Sequence, residues 1–289
     1  MPKLGERPLQ QIKPHEINLL YAQMTSLAPR TRHHVATVLK GCLQAAMDSK
    51  LIASNPAGGK RTSPADAEVG QALDQDQIAT LVEGFRGSTL FEIVVCVLTF
   101  TGMRRGEALA LRWTDFDLAN KTPQDRSRAR IHSKIRTAFK APKSARGRRT
   151  IALDDFLVSL LSNERGKYLR VVAGAPDTAD VDLSLVRLPS EWLVFPAPGG
   201  LFDAPRHPDS VTKQFTKRAA KILGFPIRLH DLRVSHGTWL LDQGTAVHTV
   251  AKRLGHDASV LLKVYAKRTQ KSDEATAATI GNITKGMKL

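Results

Sequence analysis

Apolar residues recur at helical spacing in two stripes near the start of the chain. The first stripe begins after Pro14, which suits the first turn of a helix, and the second follows Pro29. The second stripe steps by three and four residues from Val35 to Met47, so one helix face is apolar and needs a partner to cover it. The pattern predicts a small all-α unit at the N-terminus.

The longer remainder of the chain is also mainly helical in pattern. Asp74 has Gln77 three residues on, the spacing of a helix cap, and residues 89–100 are apolar nearly all round, which predicts a buried central helix. Further helices are predicted near 155–170, 208–223, 231–243, 246–254 and 258–267, with Gly244 and Gly255 at helix ends.

One stretch has the two-residue period of β-strands. Ile131, Ser133 and Ile135 alternate with basic residues, and residues 150–153 resume the alternation after a turn-forming segment at 142–147. The prediction is a mainly α chain with a small antiparallel β-sheet, an α+β fold.

Domain boundaries follow from composition. Residues 55–72 combine turn-forming, small and charged residues, which is typical of a linker. The predicted organisation is a helical domain at 1–60, a linker at 61–72, a larger domain at 73–270 and a C-terminal tail at 271–289.

Charge points to the kind of partner. The 289 residues include 43 lysines and arginines against 27 acidic residues, a formal net charge of +16. Residues 121–150 alone hold eleven basic side chains and one acidic side chain. Such a one-sign patch is typical of a surface that contacts phosphate backbones, and the alternative is a solvated loop that only aids solubility.

Other classes of protein are disfavoured. The longest apolar run, residues 93–100, is far shorter than the roughly 18–20 residues of a membrane span, so a cytoplasmic protein without a membrane partner is expected. Cys42 and Cys96 fall in apolar helical patterns and are predicted to be buried thiols. No spacing is typical of a metal site, and neither a metal nor another cofactor is expected.

Four short segments carry the candidate chemistry. They are residues 101–107 (TGMRRGE) after the buried helix, Lys143 in the turn of the basic sheet, residues 230–233 (HDLR), and residues 254–256 (LGH) followed nine residues later by Tyr265. Each is weak alone. In this order and spacing they resemble the tyrosine recombinase family of phage-type integrases, across about residues 7–270 and most strongly from Leu73 onward.

The resemblance implies a set of catalytic residues. These are Arg104, Lys143, His230, Arg233, His256 and Tyr265, with Glu107 as a supporting acid. Two permanently charged, fork-shaped guanidiniums suit the charge that develops on a phosphodiester under attack, which gives this role to Arg104 and Arg233.

The remaining roles concern proton transfer and attack. A phenol titrates near pH 10, so Tyr265 needs a proton acceptor before it attacks, and His230 is the candidate acceptor. Lys143 would protonate the departing 5′ oxygen, and His256 would donate a hydrogen bond to a nonbridging oxygen. The product would be a 3′-phosphotyrosine, whose rejoining needs neither ATP nor a metal.

Each assignment has an alternative. Arg105 competes with Arg104, and three basic residues compete with Lys143, namely Lys140, Arg146 and Arg148. His230 and His256 are structural histidines in the alternative view, and His236 is interpreted as packing or support for the site. Tyr21 and Tyr168 are expected to be packing or surface groups, and the three tryptophans, Trp113, Trp192 and Trp239, are expected to be core aromatics.

The implied function is site-specific DNA recombination, most simply the integration and excision of a prophage or genomic island. The expected partners are double-stranded DNA at attachment sites, three further protomers in a tetramer assembled on DNA from free monomers, and DNA-bending or excision accessory proteins. The expected DNA-contacting residues are Arg126, Arg128, Arg130, Arg146 and Arg148.

The N-terminal lobe resembles a core-binding domain, and it is expected to be truncated because only eight residues precede Leu9. The tail at 271–289 is expected to contact a neighbouring protomer. Three alternative functions remain: a dimer-resolution recombinase, an enzyme like a type IB topoisomerase, and a noncatalytic DNA-binding remnant.

Overall fold

The computed structural model describes residues 4–5, 7–58, 70–118, 128–131, 134–135, 139–140, 148–177, 179–199, 201–259 and 261–262. The chain divides into two compact units, Met1–Val69 and Gly70–Leu289.

The N-terminal unit contains helices α1 (Pro14–Ala22) and α2 (Pro29–Asp48), each with proline in its first turn. A small apolar core joins them, and its buried members are Ile17, Leu43, Ala46, Ile52 and Ala57. Tyr21 packs against this core from the side, as expected.

The prediction that both thiols are buried is wrong for Cys42, which is exposed. Among the side chains of α2, only Ala36, Leu43 and Ala46 are buried. The apolar stripe of α2 is wider than the surface that packs on it, which leaves Cys42 outside the covered face.

The second unit holds seven described helices. They are α3 (Gln75–Phe85), α4 (Thr89–Thr101), α5 (Arg105–Ala108), α6 (Asp155–Ala173), α7 (Pro208–Leu223), α8 (Leu229–Asp242) and α9 (Val247–Leu254). The predicted cap at Asp74 is present: its carboxylate accepts from the Gln77 N–H at 2.8 Å, and the Gln77 side chain accepts from the Asp74 N–H at 3.1 Å.

Helix α4 is the centre of this unit. Its residues 93–98 are almost completely buried, Cys96 among them, and the helix contacts α3, α6 and α8. Since α4 is apolar on every face, it has to be covered on all sides, and its last turn is thereby fixed inside the unit. None of the described helices is long and apolar enough to cross a membrane.

The strands form two small antiparallel sheets. One has the order β1 (Phe116–Asp117), β2 (Arg128–Ile131), β5 (Arg149–Ala152), and the other pairs β3 (Lys134–Ile135) with β4 (Phe139–Lys140). In the larger sheet, Ala129 lies opposite Ile151, and both are buried. The predicted fold class, mainly α with a small antiparallel β-sheet, is confirmed.

The aromatic residues divide into buried and exposed groups. Trp113 is buried and packs edge-on against Tyr168, with ring centroids 5.2 Å apart, and Trp192 stacks on Phe202 at 4.2 Å. Trp239 is 39% exposed, so its prediction as a core aromatic is wrong. It lies with exposed Phe156 in an apolar groove at the surface, where no described residue covers it fully.

Candidate active site

The site begins where α4 ends. Gly102 has a left-handed backbone conformation (φ 64°), and its N–H bonds back to the Leu98 carbonyl. A Cβ at this position would come within 2.6 Å of the Leu254 side chain and 2.7 Å of the His236 ring. Glycine is therefore required both for the turn and for the close approach, and the turn brings Arg104 to the start of α5.

Glu107 is the buried anion of the site. Arg104 donates to it from its backbone N–H and from Nη1, both at 2.9 Å. Arg149 donates from Nη2 at 2.9 Å and from Nη1 at 3.3 Å. Burial by itself raises the pKa of Glu107, but the hydrogen bonds and charge of Arg149, together with the Arg104 bonds, lower it below its usual value. Glu107 is therefore a carboxylate that holds two guanidiniums.

Arg233 is buried beside this cluster. It lies one turn into α8, and its guanidinium donates to the backbone carbonyls of Gly102 and Leu254. Burial lowers its pKa, and the nearby Arg104 charge lowers it further. A guanidinium this basic still stays protonated at neutral pH.

The turn after α9 supplies the next groups. Gly255 ends the helix in a left-handed conformation (φ 65°), and its carbonyl accepts from Arg104 Nη2 at 3.3 Å. His256 follows directly. Burial, with the charges of Arg233 and Arg104, lowers the pKa of His256 to about 3, so the imidazole is neutral at physiological pH.

His230 lies at the start of α8, three residues before Arg233, and is exposed. Partial desolvation, followed by the charge of Arg233, lowers its pKa below the usual value. A neutral imidazole can accept a proton, which a histidine charged at pH 7 cannot do.

Two donors of the cluster point to an anionic ligand. Among the described residues, neither Arg233 Nε nor His256 Nδ1 has a hydrogen-bond partner, although both atoms are buried. Buried polar atoms in native proteins are nearly always satisfied, so Arg233 Nε, and His256 Nδ1 in the tautomer that carries its hydrogen there, suit a bound group that accepts hydrogen bonds. Three guanidiniums, on Arg104, Arg149 and Arg233, face one carboxylate, and the excess positive charge favours an anion such as a phosphate.

A basic groove of about 980 Å³ lies beside these groups. Its lining includes Arg148, Arg149, His248, Lys252, Arg253 and His256. No group of His, Cys, Asp and Glu side chains that could hold a metal ion occurs in the part of the chain that the structure describes.

The structure brings four predicted site residues to one turn region: Arg104, His230, Arg233 and His256, with Glu107 bonded to the first. Arg105 has a different environment, because its guanidinium donates to Asp209 at 3.1 Å and to the Pro208 carbonyl at 3.1 Å on α7. The Arg104 side chain is 41% exposed, so a ligand can reach it, and it differs from Arg105 in being held by Glu107.

The other predicted site residues lie outside the described part of the chain or have few described contacts. Lys143 and Tyr265 lie outside the described residues, as do Arg126 and Arg146. Arg128 is described only by its place in β2, opposite Ala152. Arg130 and Arg148 are exposed, and Arg130 Nη2 donates to the Thr114 carbonyl at 2.8 Å.

Sequence reasoning missed the roles of Arg149 and Arg253. Arg149 shares a face of β5 with buried Ile151, and Arg253 lies three residues after buried Val250 on α9. An arginine on an otherwise apolar face signals a buried partner. Tyr168, in contrast, is in a packing role as expected: it is buried, and its hydroxyl donates to the Val194 carbonyl at 3.2 Å.

The chain is similar in sequence to proteins that are named as integrases. The family model for the phage integrase family matches residues 71–272. The integrase of Mycobacterium phage D29 is 23% identical over 286 residues, which cover 98% of this chain and 70% of that protein. A putative prophage phiRv2 integrase of Mycobacterium tuberculosis (strain H37Rv) is 25% identical over 292 residues, covering 99% and 71%.

Solved structures share the fold. The Tn1549 transposon integrase in complex with a circular intermediate DNA has a TM-score of 0.70 at 18% identity, over 96% of this chain and 88% of that one. A lambda integrase dimer bound to a core site has a TM-score of 0.63 at 15% identity, over 93% and 84%.

These matches define the class of enzyme as the site-specific tyrosine recombinases. Within that class, the match over residues 71–272 shows that the chain belongs to the phage integrase family.

Proposed function

We propose that this recombinase integrates and excises the DNA of a prophage or genomic island, acting on double-stranded DNA at attachment sites. The relatives named as phage and prophage integrases support this assignment. The observation that carries the chemistry is the convergence of Arg104 and Arg233 on two successive carbonyls, those of Gly255 and Leu254.

The two arginines hold the scissile phosphate. Arg233 is fixed by two backbone carbonyls, while Arg104 is fixed by Glu107 and remains partly exposed. Groups held in place before the reaction stabilise the charge that develops in the transition state without reorganising at that moment. His256 Nδ1 and Arg233 Nε, which lack partners in the described part of the chain, supply further hydrogen bonds.

Attack and departure require the residues that lie outside the described part. Tyr265 attacks the phosphorus and forms a bond to it, and its proton passes to neutral His230. The bond to the 5′ oxygen breaks, and Lys143 donates the proton that this oxygen takes up. The 3′-phosphotyrosine keeps the energy of the broken bond, so the attack of a new 5′ hydroxyl reverses the step without ATP or a metal.

Assembly belongs to the same proposal. Monomers assemble as a tetramer on two DNA duplexes in the cytoplasm, and the tail at 271–289 contacts a neighbouring protomer. Arg126, Arg128, Arg130, Arg146 and Arg148 contact the phosphate backbone, for which a formal net charge of +16 provides attraction. DNA-bending or excision proteins set the direction of the reaction.

Substitution of adjacent arginines tests the clamp. Arg104→Ala removes a guanidinium from the phosphate, so we expect the rate of covalent cleavage of a nicked DNA substrate to fall about 100-fold or more, while DNA affinity changes only a few-fold. Arg105→Ala is the matched control, since this side chain is bonded to α7, and its cleavage rate should stay within a few-fold of wild type. The reverse pattern would remove Arg104 from the proposed site.

A further inference from the structure

Arg253 joins four separate elements. It belongs to α9, and its guanidinium donates from Nε to His236 Nε2 on α8 at 3.0 Å. Nη1 donates to the Ala152 carbonyl at the end of β5 at 3.2 Å, and Nη2 donates to the Phe100 carbonyl near the end of α4 at 3.1 Å. Each of the three nitrogens of the guanidinium thus donates a hydrogen bond within the protein.

The backbone of the same residue is also held. The Arg253 carbonyl accepts from Arg149 Nε at 2.7 Å, and Arg149 in turn bonds to Glu107 through both terminal nitrogens. Strand β5 and helix α9 therefore exchange arginine-to-carbonyl bonds in both directions. This pair of bonds connects Arg253 to the carboxylate that holds Arg104.

The tautomer of His236 gives it an acceptor nitrogen for the hydrogen bond from Arg253. Its Nδ1 lies 2.9 Å from the Thr99 carbonyl, which can only accept, so Nδ1 carries the hydrogen and Nε2 is free to accept from Arg253. Burial and the charge of Arg253 lower the pKa of His236 to about 3. The ring is therefore neutral at physiological pH and keeps its acceptor.

The three residues after Arg253 hold or supply the groups that bind the phosphate in the proposed function. Leu254 supplies a carbonyl to Arg233, Gly255 supplies one to Arg104, and His256 comes next. Helix α9 has only eight residues, so it has little stability of its own and depends on contacts with its neighbours. A shift of its C-terminal end would move all three groups together.

We propose that Arg253, bonded to His236, is a positioning residue that sets the place of Arg104, Arg233 and His256. It acts through the end of α9 and does not touch the DNA. The inference rests on the proposed phosphate clamp, and a displacement of about 1 Å in such a clamp is enough to cost about 100-fold in rate.

The test compares Arg253→Lys with wild type on two nicked substrates. One carries the natural phosphate at the cleavage site, and the other carries a methylphosphonate, in which a methyl group replaces a charged nonbridging oxygen. Lysine keeps the positive charge, but its three donors share a single nitrogen, so it cannot reach the three separated partners that Nε, Nη1 and Nη2 of Arg253 contact. On the phosphate we expect a fall of about 10- to 100-fold in cleavage rate at saturating DNA, with DNA affinity changed less than three-fold.

The methylphosphonate distinguishes positioning from general damage. A neutral substrate needs less help from the arginine clamp, so the deficit of Arg253→Lys should shrink several-fold on it. If Arg253→Lys loses the same factor in cleavage rate on both substrates, the role of Arg253 is merely structural and the proposal is overturned. A wild-type rate on the phosphate would overturn it as well.

Controls separate this inference from the proposed function. Lys217→Ala changes an exposed basic residue on α7, outside the groove, and should cleave both substrates at wild-type rates. Arg104→Ala should show the largest shrinkage of its deficit; if it shows no deficit on the phosphate, the clamp itself is wrong. If thermal melting shows that Arg253→Lys does not fold, His236→Gln is measured in the same way. Its cleavage rate on the phosphate should fall, and this deficit should shrink on the methylphosphonate. A wild-type rate, or an equal deficit on both substrates, would overturn the proposal.

Discussion

Two buried side chains of this protein, Glu107 and His236, have their protonation states fixed by their neighbours, one as an ion and the other as a neutral ring. Glu107 stays ionised although it is buried, because Arg149 and Arg104 surround it. His236 stays neutral although a histidine is often charged below pH 6.5, because burial and the nearby Arg253 exclude the cation. The site thus depends on groups whose charge is fixed by neighbours.

His236 gives a prediction for stability against pH. Its pKa is about 3 in the folded protein and 6.5 when unperturbed, so between these values the unfolded chain binds a proton that the folded one does not. Its contribution to stability is therefore complete above pH 6.5 and is lost as the pH falls toward 3. Between pH 7 and pH 5 we expect this single group to remove about 2 kcal/mol from the free energy of unfolding.

Urea titrations at the two pH values check this. His236→Gln lacks the titrating ring, so its loss on acidification should be smaller than that of wild type. Equal losses in the two proteins would show that His236 is not held neutral.

Motif order at the residue scale predicted the two arginines and two histidines that the structure brings together. It did not predict Arg149 or Arg253, because in a chain with 43 basic residues a solvated surface is the expected place for any one of them. Burial of an arginine depends on carbonyls and acids from distant segments, such as Phe100 and Ala152 for Arg253. No local pattern encodes those partners.

At the scale of elements, the turn between α4 and α5 connects the core to the site. Most helices follow their sequence patterns closely: the predicted helix at 208–223 matches α7 at Pro208–Leu223. The predicted β-region at 128–153 forms strands that belong to two separate sheets, where a single small sheet was predicted. Strand pairing joins residues that are distant in sequence, so alternation alone does not fix how strands are grouped.

Gly102 provides the prediction at this scale. Gly102→Ala adds left-handed strain and also forces a methyl group against Leu254 and His236 at less than 3 Å. Gly174→Ala is the matched control, since Gly174 ends α6 with the same φ of 64° and has no atom within 4 Å of its added Cβ. In urea unfolding, Gly174→Ala should lose about 1–2 kcal/mol from strain, and Gly102→Ala should lose clearly more. Equal losses would show that the turn has room to relax.

At the scale of the whole molecule, the fold holds a positively charged site in a positively charged protein. The unit from Gly70 onward carries the site residues Arg104, His230, Arg233 and His256, and the phage integrase match over residues 71–272 covers the same part of the chain. We propose that Tyr265 forms a covalent bond to DNA with the help of these groups.

The most direct measurement traps that bond. A duplex nicked near the cleavage site, so that the short 5′-hydroxyl fragment diffuses away, is incubated with the protein in EDTA, and the covalent product is digested and analysed by mass spectrometry. We expect a 3′-phosphate on the peptide that contains Tyr265, and none with Tyr265→Phe, which should bind the duplex with unchanged affinity. An adduct that persists in Tyr265→Phe, or that maps to Tyr21 or Tyr168, would contradict the account.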